Sequence, residues 1–224
     1  MFVITSSKLR EFDINKAREF IDYWGRPHTF ASVKCYDSDE EVNYIEELNI
    51  GNRLTEQNIK RLLRWKDPRM LTEKTLSGPD EGKDNKRVLK VLERRDDINQ
   101  FRESSIGTGI DDFKRIVEEI FPVGFVWPIF LFHIARPHEF PIADRNVFKS
   151  YSLHRQVKIP ENWIEYEDYI DYFFQIAIAA NIVNEKLQGN EPNLVEIVKE
   201  LKMVDNALVA FGQFMYSYAK TNPI

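Results

Sequence analysis

Cysteine is nearly missing from this chain: Cys35 is its one thiol in 224 residues. A single cysteine excludes an internal disulfide and suits a reducing cytoplasm, where the sequence leads us to expect the protein. It equally excludes four-cysteine zinc and iron–sulfur sites, which need several thiolates. Long apolar runs are scarce too. The longest, residues 120–132, is too short to span a bilayer, and Pro122 and Pro128 interrupt it. The opening MFVITSSKLREF becomes charged too early to supply the apolar core of a signal peptide. No GXSXG or HEXXH pattern occurs, and no glycine-rich phosphate loop follows a strand. Cys35 has no evident activating partner for a nucleophile. Of the four histidines, His133 and His138 stand five apart with Pro137 between them, off the spacing that metal pairs on a helix prefer. No metal and no cofactor is expected.

What remains is ordinary globular material, 43% hydrophobic and 30% charged, enough for one large domain or two modest ones. The net charge of −5 disfavours phosphate partners on average. The charge is unevenly spread, however. Residues 60–69 (KRLLRWKDPR) and 83–95 (KDNKRVLKVLERR) are basic, while acids gather at 37–47 and 161–171. Taken alone, each basic run reads as a solvated helix face.

Nearly every segment has helical periodicity, and the chain is expected to be all-α. Asp13 caps a helix over 14–23, stopped by Gly25 and Pro27. Residues 28–36 alternate weakly and are read as loop. An acidic helix spans 37–48 and ends at Gly51. Thr55 and Asn58 open the next, through Trp65. A short helix near 72–76 gives way to the loop SGPDEGKDN, and Asn85 caps a long helix from 86 to about 102. Residues 111–120 are amphipathic. Residues 162–187 carry an aromatic stripe (Trp163, Tyr166, Tyr169, Tyr172, Phe173, Phe174), which at this spacing reads as core. Residues 193–201 and 205–218 complete the helical set.

The densest stretch is 120–151, IFPVGFVWPIFLFHIARPHEFPIADRNVFKSY. Pro122 ends the preceding helix, Gly124 permits a tight turn, and Pro128 suits the first turn of a new helix. That helix, 129–135, is apolar all round and so is buried, with His133 a core histidine with a satisfied ring nitrogen. Arg136-Pro137 ends it. HEFPI keeps the backbone extended, and Asp144 caps a helix over 145–153.

This order resembles the core of the helix-hairpin-helix (HhH-GPD) DNA glycosylases of base-excision repair. Pro141-Ile142-Ala143-Asp144-Arg145-Asn146-Val147 is similar to the family loop that delivers an aspartate shortly after a proline, in its adenine-glycosylase form. FRESSIGTG (101–109) resembles the 8-oxoguanine branch. WPIFLFHI (127–134) and VDNALVAFGQFM (204–215) resemble segments of compact bacterial relatives. The resemblance covers about 101–151 and, loosely, the C-terminal helix. It divides the chain into an N-terminal helical, partly basic region (1–100) and an HhH-GPD-like core (101–224), with a cleft between two helical subdomains.

The resemblance implies a DNA glycosylase that flips a modified or damaged base from double-stranded DNA and cleaves its N-glycosidic bond with the Asp144 carboxylate. A carboxylate near the anomeric carbon stabilises an oxocarbenium-like state and orients the attacking water. Gly124, Phe125, Arg145, Asn146, Lys60, Arg61, Arg64, Lys66 and Arg69 become candidate DNA contacts, and Trp127 and His133 candidate base-pocket residues. The chain departs from the family in two places. Only Gly124 remains of the paired hairpin glycines, and no lysine lies between Lys114 and Lys149, so the implied enzyme is monofunctional, without lyase chemistry. The alternative is a non-catalytic relative that keeps the fold and binds DNA or protein.

Overall fold

The computed structural model describes residues 13–25, 38–66, 86–183 and 193–221. Among them are ten α-helices, one 3-10 turn and no strand. The fold is all-α, as the periodicity requires. None of the described helices is long and apolar enough to cross a membrane. The chain divides into two compact units, Met1–Tyr36 with Pro141–Ile224, and Asp37–Phe140. The boundary expected at residue 100 falls instead inside a continuous helix, Arg95–Glu103, whose Ile98 and Phe101 are buried. Cutting there would open a core.

The first unit begins with the 3-10 turn Ile14–Lys16, where the Asp13 side chain accepts from the Asn15 N–H, and passes into α1 (Ala17–Trp24). The second unit then holds six helices. They are α2 (Ser38–Glu47), α3 (Glu56–Lys66), α4 (Lys86–Glu93), α5 (Arg95–Glu103), α6 (Ile110–Ile120) and α7 (Val126–Ala135). Thr55 and Asn58 cap α3 reciprocally: the Asn58 N–H donates to Thr55 Oγ1 at 3.1 Å, and the Thr55 N–H to Asn58 Oδ1 at 3.0 Å. The long helix expected over 86–102 breaks at Arg94, whose N–H turns back tightly to the Val91 carbonyl at 3.1 Å. Asp96 and Asp97 then occupy the first turn of α5, where the N-terminal dipole favours acids.

Two arginines tie the second unit together. Arg102 Nη1 donates to the Ile134 carbonyl at 2.8 Å, and its Nη2 to Leu48 at 2.6 Å and Asn49 at 2.9 Å. One side chain thereby satisfies carbonyls at the ends of both α2 and α7. Burial pushes its guanidinium down to about 10. Arg136, 1% exposed, is wrapped by the FRESSIGTG segment. Its Nε donates to the Phe101 carbonyl at 2.9 Å, and its Nη2 to Ser104 and Ser105 at 3.1 Å and to Thr108 at 3.0 Å. The guanidinium also lies 4.0 Å from the Phe101 ring centroid, and Glu139 pairs with Nη1 at 3.3 Å. Here the glycine-bearing segment is a cradle for an internal cation.

The first unit resumes with α8 (Arg145–Arg155), α9 (Trp163–Ala179) and α10 (Leu194–Thr221). Helix α10 packs on α8, α1 and α9. It replaces the two helices expected over 193–201 and 205–218. No breaker separates them, and the buried pair Lys202–Asp205, 2.5 Å apart, holds the intervening turn helical. Helix α9 closes at Ala179. Asn181 takes φ +56°, and the Ile182 N–H reaches back to the Ala177 carbonyl at 2.9 Å, closing the helix end. Residues 28–36, the helix near 72–76 and the loop 77–85 lie outside the described residues.

Candidate active site

The site that the sequence singles out is the start of α8. Asp144 adopts extended backbone (φ −143°, ψ 176°), and its Oδ1 accepts from the N–H groups of Asn146 at 2.6 Å and Val147 at 3.1 Å. This is a complete N-cap. Among the described residues Oδ2 carries no hydrogen bond. The residue is half-buried, Arg145 exposed and Asn146 half-buried.

The segment leading to Asp144 is not extended throughout. Residues 136–140 form a turn, closed by the Glu139 and Phe140 N–H groups on the Arg136 carbonyl, each at 3.0 Å. Pro141, Ile142 and Ala143 then run buried, outside any helix or turn, into the cap. A buried carbonyl needs a donor, and three consecutive ones find it in side chains. Within the second unit, His133 Nδ1 lies 2.6 Å from the Phe140 carbonyl oxygen. Within the first, the Tyr166 hydroxyl donates to Pro141 at 2.9 Å and the Tyr169 hydroxyl to Ile142 at 3.3 Å. Burial raises both phenols well above their ordinary value. At Tyr169 the nearby Asp205 charge adds to it, with a smaller contribution from Asp144. The aromatic stripe of α9 is core, and two of its hydroxyls also grip the loop.

Close packing secures the helix behind the cap. A Cβ on Gly212 of α10 would run into the Asn146 carbonyl and lie 2.8 Å from Ser150 Oγ. The Ser150 hydroxyl donates across to the Leu208 carbonyl at 2.5 Å. VDNALVAFGQFM therefore contributes a glycine on which the first turn of α8 rests.

The remaining candidates belong to the second unit. Gly124 (φ +95°) turns the chain between α6 and α7 with open space where a Cβ would stand, and Val123 before it is 89% exposed. Phe125 and Trp127 are half-buried, with Trp127 stacked on Phe121 at 5.8 Å. Helix α7 begins at Val126, ahead of the expected 129, which puts Pro128 in its first turn. His133 is buried, and both ring nitrogens are engaged, Nδ1 by Phe140 and Nε2 by the Tyr44 hydroxyl. That is the core histidine expected of an apolar helix, and it leaves no ring nitrogen for a base.

On α3, Lys60 pairs with Glu56 at 2.8 Å and Arg61 with Glu47 at 2.5 Å, while Arg64 is exposed. Lys66 sits 5.6 Å over the Phe130 ring, which binds the basic end of α3 to the hairpin's second helix. Arg69 lies outside the described residues. In the other basic run Lys86, Arg87 and Lys90 are exposed, and Arg94 pairs with Glu119 at 2.8 Å. Among the described residues, no group of three His, Cys, Asp or Glu side chains converges to hold a metal ion. Comparison with known proteins gives no match to a family model, a curated protein or a solved structure.

Proposed function

We propose that the protein is a monofunctional DNA glycosylase of helix-hairpin-helix type, acting on a modified or damaged base in cytoplasmic duplex DNA. The observation that supports this reading is the division of the Asp144 carboxylate. One oxygen is spent on the helix N-terminus, which holds the group rigid, and the other is uncommitted to any described residue.

In this reading the base leaves the stack and its C1′–N bond lengthens toward an oxocarbenium-like sugar. Oδ2 faces the growing positive charge and takes the proton of the water that attacks C1′, while the departing base carries away the bonding pair. This chemistry calls for no cofactor. The phosphate candidates are Arg145 and Asn146 in the first unit and, taken separately, the Gly124 and Phe125 N–H groups, Arg64 and the other α3 cations in the second. Trp127 is the stacking candidate, and His133 acts only through the core.

Asp144→Asn is the decisive variant, because asparagine caps a helix about as well as aspartate. The variant is expected to keep the wild-type unfolding free energy to within about 0.5 kcal/mol while losing base release on a panel of modified duplexes. Retention of full activity would falsify the assignment. One observation favours a non-catalytic DNA- or protein-binding relative: Lys60 and Arg61 already pair with the chain's own carboxylates, Glu56 and Glu47. Salt-dependent duplex binding without any abasic-site formation would establish it.

A further inference from the structure

Resting on the reading of Asp144 as the reacting carboxylate, we propose that Tyr166 and Tyr169 are its positioning residues. They form a two-phenol clamp that grips the Pro141 and Ile142 carbonyls and so fixes where the carboxylate stands.

The geometry carries the assignment. Tyr166 and Tyr169 are one turn apart on α9, both fully buried, and their hydroxyls reach successive carbonyls of the loop at 2.9 Å and 3.3 Å. Fixing two consecutive carbonyls orients two peptide planes, leaving Ala143 as the one residue between the clamp and Asp144. The Asp144 backbone must be extended for its side chain to turn back onto the Asn146 and Val147 N–H groups, and it is (φ −143°, ψ 176°). A loop without side-chain anchors would sample other approaches to the helix. The donors do not switch off, since burial holds both phenols protonated. Catalytic geometry is steep in position, a misplacement of about 1 Å costing on the order of a hundredfold in rate. Neither tyrosine need touch substrate for its loss to be felt at the bond that breaks.

The test uses the full chain with Tyr166→Phe, Tyr169→Phe and the double change, each keeping the ring and removing only the hydroxyl. Amide hydrogen exchange is followed at Asn146 and Val147, whose N–H groups Asp144 caps, against amides in the later turns of α8 and in α10. The double variant is expected to exchange at least tenfold faster at Asn146 and Val147 while the reference amides stay near wild type. Single-turnover base release is expected to fall tenfold or more at unchanged DNA affinity. Wild-type protection at the two capped amides overturns the clamp, as does a uniform rise in exchange, which would mark a general stability effect. Should the double variant not fold, Tyr169→Phe, which loses the longer bond alone, is scored in the same way. If the wild-type chain releases no base, the glycosylase reading fails, and the exchange readout still decides the clamp.

Discussion

His133 donates its Nδ1 hydrogen to the carbonyl oxygen of Phe140, 2.6 Å away in the core of the second unit. A carbonyl can only accept, so the hydrogen is on Nδ1, and the Tyr44 hydroxyl must donate to Nε2. The imidazole thus joins α2 to the turn that follows α7. His133→Phe removes the donor to the buried Phe140 carbonyl and the acceptor facing the Tyr44 hydroxyl, and is expected to cost about 2–5 kcal/mol in urea unfolding. Adding Tyr44→Phe removes the hydroxyl that faced the lost ring nitrogen. The double variant should therefore be more stable than the sum of the single losses, by about 1 kcal/mol or more.

Arg136 is a second internal fastener. Lysine keeps the charge but cannot spread donors over the Phe101, Ser104, Ser105 and Thr108 carbonyls as the guanidinium fork does. Arg136→Lys is expected to destabilise the chain by about 3–5 kcal/mol. Limited proteolysis should then cut first within 104–109. A thermal midpoint within a degree of wild type would refute the cradle.

Acid should unfold the protein through His154. Its ring is half-buried against Phe20 and Phe211, with Nδ1 bonded to the Tyr172 hydroxyl. Burial, then the Arg155 charge, lowers its pKa from 6.5 to about 3. As pH falls through 6.5 the unfolded chain takes up the proton before the folded one, so this stability is intact above that pH and drains away toward 3. The full loss is at most about 5 kcal/mol. His154→Asn, which does not titrate, is expected to flatten the dependence between pH 6.5 and 4, measured by denaturant titration at each pH.

Gly212→Ala probes the seat of α8. The added methyl meets the Asn146 backbone, which cannot swing aside as a side chain could. A cost of about 1–3 kcal/mol is expected, with chemical-shift changes concentrated at residues 144–150. If the shifts spread evenly over α10, the glycine does not seat that turn.

Local chemistry was legible from residues alone. Asp13, Thr55 with Asn58, and Asp144 each cap where a short polar side chain reaches N–H groups two or three residues on. Such contacts close within one turn, so no tertiary knowledge is needed to foresee them. Proline and glycine likewise marked the ends of α6 and α7. The break at Arg94 was partly readable, since Asp96 and Asp97 carry the signature of a helix start inside an otherwise continuous pattern. The fusion of α10 was not, because it depends on burying Lys202 against Asp205.

By itself the sequence determined an all-α protein with a buried helix over 129–135, which the structure starts at Val126, and an aspartate capping the helix that follows. Periodicity and capping act over three or four residues, and the chain spells them out in order. Only the tertiary structure decided that Arg102 and Arg136 face inward, that the chain divides at 36 and 140, and that two core tyrosines hold the loop before Asp144. Those contacts join residues 25 to 54 positions apart. A side chain's type says what it can bond, and packing alone says what lies within its reach.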